Sequence, residues 1–206
     1  MARMAILDGD LPLPIQHPAA WKADQLLGRN DWHLRFSEPE LAEIDAALEA
    51  TADVPIEDIN EHRFFLPILR TKLAAIQLSL ENGSGATILR GLNVENYSEE
   101  DCQRIFWALT QHIGTPIPQT AEGDRMFSVR DEGFGDDDPR TRGPNTRKKL
   151  SFHTDRCDVI SFFCLRQAAE GGENEIVSSM AVFNEIRERR PDLLRVLMQP
   201  FFYKRH

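Results

Sequence analysis

His153 and Asp155 stand two positions apart in the run SFHTDRC, residues 151–157. On an extended chain side chains alternate with period two, so an imidazole nitrogen and a carboxylate oxygen project from one face while Thr154 points the other way. Two such donors on neighbouring rungs make two-thirds of a facial set of two histidines and one carboxylate. That set leaves coordination positions open and favours Fe(II) over a closed tetrahedral zinc site. The tripeptide alone is weak evidence, because most His-x-Asp occurrences are surface or capping residues. Its setting is more telling: a polar loop precedes it, an apolar stretch follows, and Gly171-Gly172 close that stretch.

The neighbouring residues carry blander readings. Asp158 is out of phase with the pair and reads as a capping residue. Cys157 is in phase and reads as an inert buried thiol. Arg90 suits a structural ion pair at least as well as a substrate contact. His17, His33, His62 and His112 have no metal-like spacing. Phe162-Phe163 and Phe201-Phe202 read as core residues. Arg147, Lys148 and Lys149 end the loop before the pair, as a solvated segment or as charges that draw an anion toward the site.

The elements that must hold the pair follow from pattern. Residues 1–35, with Pro12, Pro14 and Pro18, read as an extended arm anchored by Trp21 and Trp32. Ser37 and Glu40 form a capping box for a helix through Ala50, with Leu41, Ile44 and Leu48 on one stripe. A second amphipathic region runs from Ile59 to Leu80, with Pro67 at its first turn or at a kink, and ends at Asn82-Gly83. Gly85–Val94 reads as a buried strand. The acidic run after Ser98 opens a helix whose inner face is Ile105, Phe106 and Leu109, ending at Gly114. Arg125–Asp131 alternates as a strand does, and residues 132–149 form a loop by composition. Strand character returns around the His-x-Asp run and at Glu175–Ser179. Ala181–Leu197 is a helix broken at Pro191.

Composition narrows the function class. The chain has 206 residues, a formal net charge of −9 and a pI near 5.2. That charge argues against nucleic-acid binding, which needs a basic face. Hydrophobic residues at 41% are sufficient for a packed core. Three cysteines without a CxxC pair read as thiols of a reducing, cytoplasmic compartment. The N-terminus lacks a signal-peptide pattern, and no apolar run reaches the ~20 residues that cross a bilayer.

Three blocks in order give a resemblance. GATILRGLNVENYSEED continuing into IFWALTQHIGTPIPQ, then FHTDRCD, then GGENEIVSSMAVFNEI, resemble the taurine dioxygenase-like (TauD/TfdA) family of Fe(II)/2-oxoglutarate-dependent oxygenases over roughly residues 85–200. The resemblance implies a mainly β fold with flanking helices (α+β), a double-stranded β-helix or jelly-roll barrel. The whole chain is read as one domain, with an arm and helices over 1–82 and an incomplete barrel over 85–206. It implies His153 and Asp155 as iron ligands, and Asn174, where many members have threonine, as a contact for the 2-oxoglutarate co-substrate. It further implies a distal histidine and a carboxylate-binding arginine, expected beyond residue 206; His206 itself is a weak candidate for the third ligand.

The expected activity is therefore a dioxygenase that uses Fe(II), 2-oxoglutarate and O2 to hydroxylate a small organic metabolite. The rival reading is a non-catalytic or truncated barrel serving as a binding or interaction module. The substrate and the oligomeric state are not written in these patterns.

Overall fold

The computed structural model describes residues 11–120, 122–133 and 149–202. In chain order the helices and strands are α1 (Ala23–Leu27), β1 (His33–Arg35), α2 (Glu38–Ala50), α3 (Arg70–Asn82), β2 (Ile88–Arg90), α4 (Glu99–Gln111), α5 (Ser179–Arg189) and α6 (Pro191–Leu197). Single 3-10 turns lie at Ile56–Asp58 and Val94–Asn96. The chain packs as two compact units, one of residues 1–35, 78–90 and 173–206, the other of residues 36–77 and 91–172. Among the described residues no helix is long and apolar enough to cross a membrane.

The second unit is built by its helix starts. Ser37 precedes α2, and its N–H and hydroxyl both donate to the Glu40 carboxylate, at 2.8 and 2.9 Å. This is the carboxylate half of the expected capping box. Ser98 opens α4 with the full reciprocal box, Asp101 N–H donating to the Ser98 hydroxyl at 3.1 Å and Ser98 N–H donating to Asp101 at 3.2 Å. Glu43 of α2 accepts from the N–H groups of Ile68 and Leu69, at 2.7 and 2.8 Å, just ahead of α3. The chain after Pro67 is thus steered into its helix by a carboxylate that meets orphan donors. The core of this unit is Ile44, Phe64, Leu69, Leu73 and Ile105, all essentially inaccessible to solvent. Helix α4 also buries Cys102, Trp107, Ala108 and Leu109.

The first unit contains an arm, a small sheet and the last two helices. Strands β1 and β2 run parallel, with His33 opposite Ile88, Leu34 opposite Leu89 and Arg35 opposite Arg90. Trp21 Nε1 donates to the Ser84 carbonyl at 2.8 Å, and buried Trp32 donates to the Leu26 carbonyl at 3.0 Å. Both tryptophans are anchors, as their placement in the arm predicts. Three side chains from residues 178–187 hold the arm itself. Asn184 accepts from Ile15 N–H at 2.7 Å and donates to the Ile15 carbonyl at 2.9 Å; Ser178 and Arg187 donate to the carbonyls of Ala19 and Pro12. The break between α5 and α6 falls at Pro191, where proline cannot supply the next helical N–H.

Four expectations are revised. The region before residue 35 is not wholly extended, since it contains α1 and β1. The strand within Gly85–Val94 is short and only half covered, with Ile88 and Arg90 exposed. The helix expected from Ile59 begins at Arg70, because turns at residues 60–64 and Pro67 occupy its first part. Finally, Arg125–Asp131, the run 149–164 and Glu175–Ser178 are irregular chain, and the described strands are β1 and β2 alone. The expected barrel is not seen among the described residues, which hold helices and one strand pair. A strand exists only with a ladder partner, and these period-two segments have none among the described residues.

Candidate functional site

The segment that carries His153 and Asp155 is fastened to α4. Phe163 lies against Phe106 of that helix with ring centroids 5.7 Å apart in a tilted arrangement that suits aromatic pairs. Cys157 is half-buried, while His153, Asp155 and Asp158 face solvent. The preceding run is tied to the same helix, since Arg130 forms an ion pair with Glu99 in its first turn.

The His153 ring is oriented by the main chain. Its Nδ1 lies 2.8 Å from the Ser151 carbonyl oxygen. A carbonyl only accepts, so Nδ1 carries the proton there, and in the neutral ring Nε2 presents its lone pair outward. This is the arrangement by which metal-binding histidines fix their tautomer. Asp155 supplies a carboxylate oxygen two residues on. Burial pushes the Cys157 thiol pKa up, and the carboxylates of Asp155 and Asp158 add to that.

One imidazole and one carboxylate fit the donor set of a non-haem iron site, as two of its protein ligands. Among the described residues, no group of three or more His, Cys, Asp and Glu side chains gathers to hold a metal. Asn174 is exposed and belongs to the other compact unit. The turn ahead of it is formed as expected, with Gly171 and Gly172 at φ of +72° and +78°, the region that favours glycine. Arg147, Lys148 and His206 lie outside the described residues.

Two features escaped the sequence. Arg104, in mid-helix where a charged residue normally reaches solvent, is buried and donates to the carbonyls of Thr51 and Val54 at 3.0 and 2.6 Å. Its one sequence signal is Glu100 four residues earlier. A cleft of about 470 Å³ opens between Ile56 and Glu57, the Trp107 indole and the turn Gly123–Met126. That turn is closed by Thr120 and Asp124, which bond each other through side chain and main chain. His112, at the end of α4, reads as structural: burial lowers its pKa, so the ring is neutral at pH 7.

Comparison with known proteins places this geometry in context. The family model for "Taurine catabolism dioxygenase TauD, TfdA family" matches residues 55–206, a span that includes His153 and Asp155. FR-33289 synthase of Streptomyces rubellomurinus (strain ATCC 31215) is 30% identical over 196 residues, covering 94% of this chain and 58% of that protein. Taurine hydroxylase-like protein SAT17 of Stachybotrys chartarum (strain CBS 109288 / IBT 7711) is 30% identical over 193 residues, covering 89% of this chain and 50% of that protein. The chain therefore spans between a half and three-fifths of the length of these curated relatives.

Proposed function

Because this chain belongs to the taurine catabolism dioxygenase TauD, TfdA family, we propose that it carries the proximal half of an Fe(II)/2-oxoglutarate-dependent dioxygenase site that hydroxylates a small organic metabolite. His153 and Asp155 are the iron ligands in this reading, and Asn174 is a contact for 2-oxoglutarate through its amide. The observation that carries it is the His153 ring, tied by Nδ1 to the Ser151 carbonyl so that Nε2 is left free for a ligand, two residues from Asp155 within the span that matches the family.

When bound, iron supplies the activation of O2, using 2-oxoglutarate as the reductant, that the side chains of a protein cannot supply. The chain's own residues have simpler tasks. Ser151 holds the imidazole in one tautomer and orientation through its carbonyl. Phe163 packs on Phe106 and ties the later part of the segment to α4. The barrel expected of the family would provide the walls that exclude water.

The test is anaerobic Fe(II) titration, followed by metal analysis after gel filtration. In the complete protein, His153→Ala and Asp155→Ala are each expected to lose iron, while Asp158→Ala keeps it. Unchanged iron content in His153→Ala would refute the assignment. The second reading is a non-catalytic or truncated barrel that acts as a binding or interaction module. It predicts that 2-oxoglutarate is not converted to succinate with or without added metabolites.

A further inference from the structure

Residues 12–21 bond to two stretches of chain that are distant from them and from each other in sequence. On one side Trp21 Nε1 donates to the Ser84 carbonyl at 2.8 Å, and a Cβ on Gly85 would stand 3.6 Å from that of Ala19. On the other side the Ala19 carbonyl accepts from the Ser178 hydroxyl, and Asn184 and Arg187 of α5 bond to Ile15 and Pro12. Ala19 thus places its side chain against the turn that leads into β2 and its carbonyl on the start of α5. All of these residues belong to one compact unit.

Ser178 joins the arm to what precedes α5. Its oxygen accepts from Ala181 N–H at 3.0 Å, which caps the helix, while its proton goes to Ala19. The side chains on the two sides of the arm are among the few buried polar ones, Ser84 at 1% exposure and Ser178 at 6%. Residues 174–177, immediately before Ser178, are exposed and lie in no helix or strand. Such a segment takes its position from the scaffold that anchors it. We infer that the arm is a strap that positions residues 174–178, by tying the start of α5 to the turn before β2, so that Asn174 meets its ligand at a fixed place. The ligand is 2-oxoglutarate in the function proposed above; the inference deepens that reading and rests on it for the identity of the ligand alone. Without the arm Ser178 still caps α5, because the cap uses the oxygen lone pair and not the proton. What is lost is the tie to Ser84 and Gly85. The segment then occupies its binding position only part of the time, and affinity falls in proportion to that fraction.

The test deletes residues 1–21 and, separately, makes Ser178→Ala and Ser178→Thr. In the 206-residue chain, amide order parameters at residues 174–177 are expected to fall below about 0.6 in the deletion and in Ser178→Ala. Ser178→Thr, which keeps the hydroxyl, should restore them. In the complete protein loaded with Fe(II) under anaerobic conditions, the same two losses are expected to raise the Kd for 2-oxoglutarate by about five- to twentyfold at unchanged iron content. Unchanged order parameters at 174–177 in both variants would overturn the inference. So would an equal loss of order in every helix, since the arm would then be a general stabiliser and no strap. A Kd for 2-oxoglutarate unchanged in Asn174→Ala, with order at 174–177 still lost on removing the arm, would overturn the co-substrate reading of Asn174 and leave the strap standing.

Discussion

Replacing Arg104 tests whether the platform beneath the site is held the way the structure indicates. The guanidinium donates to two main-chain carbonyls, Thr51 at 3.0 Å and Val54 at 2.6 Å, just past the end of α2, and to the Glu100 carboxylate at 3.1 and 3.3 Å. Arg104→Met keeps most of the apolar stem and removes all of these bonds. A hydrogen bond to a charged group is worth about 1.5–3 kcal/mol when buried. The Glu100 partner has a side chain 68% exposed, so that pair adds about 0–1 kcal/mol. Some compensation comes from water reaching the Val54 carbonyl, which sets the expected loss at about 2–4 kcal/mol. With a urea m-value of about 1–3 kcal/mol/M, the midpoint should fall by roughly 1–2 M, read by circular dichroism with m unchanged. Glu100→Gln should cost less than about 1 kcal/mol. A loss below about 0.5 kcal/mol in Arg104→Met, or an equal loss in Glu100→Gln, would refute the claim that the carbonyl contacts join α4 to the end of α2.

Two further outcomes follow from the same geometry. Burial pushes the Glu40 carboxyl up, but the Lys72 ammonium and the Ser37 N–H and hydroxyl outweigh it and hold the pKa below the usual range. A depressed folded pKa gives stability that is present above the unfolded value, about 4.3, and lost as pH falls below it. Urea midpoints measured from pH 6 to 3 should therefore drop less steeply in Glu40→Gln than in the parent, and equal slopes would contradict this. Asn184→Ala removes both bonds to Ile15 and should weaken the hold on the arm by about 1–2 kcal/mol. Amide exchange at Ile15 should then be faster by roughly five- to thirtyfold; an unchanged rate would show that the arm is held elsewhere.

What could be read in advance was local or periodic. The Ser37/Glu40 and Ser98/Asp101 starts, the proline break at 191 and the Gly171-Gly172 turn depend on residues within four positions of one another, and all are found. Strand β1 could not be read, because three residues carry no period and the partner, β2, lies 55 positions along the chain. The runs at 125–131 and 149–164 show the opposite failure. Their residue types alternate with period two but their exposure does not, since Ser128, Ser151 and His153 face solvent along with Phe127, Val129 and Phe152, and pattern names no neighbour to complete a ladder. At the site, the residue types of His153 and Asp155 were legible. The Ser151 carbonyl that aims the ring was not, because a main-chain contact depends on the turn and leaves no mark on residue identity.

The arm across the first unit shows a form of recognition with its own evolutionary consequence. Asn184, Ser178 and Arg187 contact only carbonyl oxygens and one N–H of the arm, at Pro12, Ile15 and Ala19. These bonds read no side chain at Pro12, Ile15 or Ala19, so those three positions are free of them to vary as long as the backbone path is kept. The burden of conservation passes to the three clasping residues. At position 15 proline would remove the one N–H that the clasp requires.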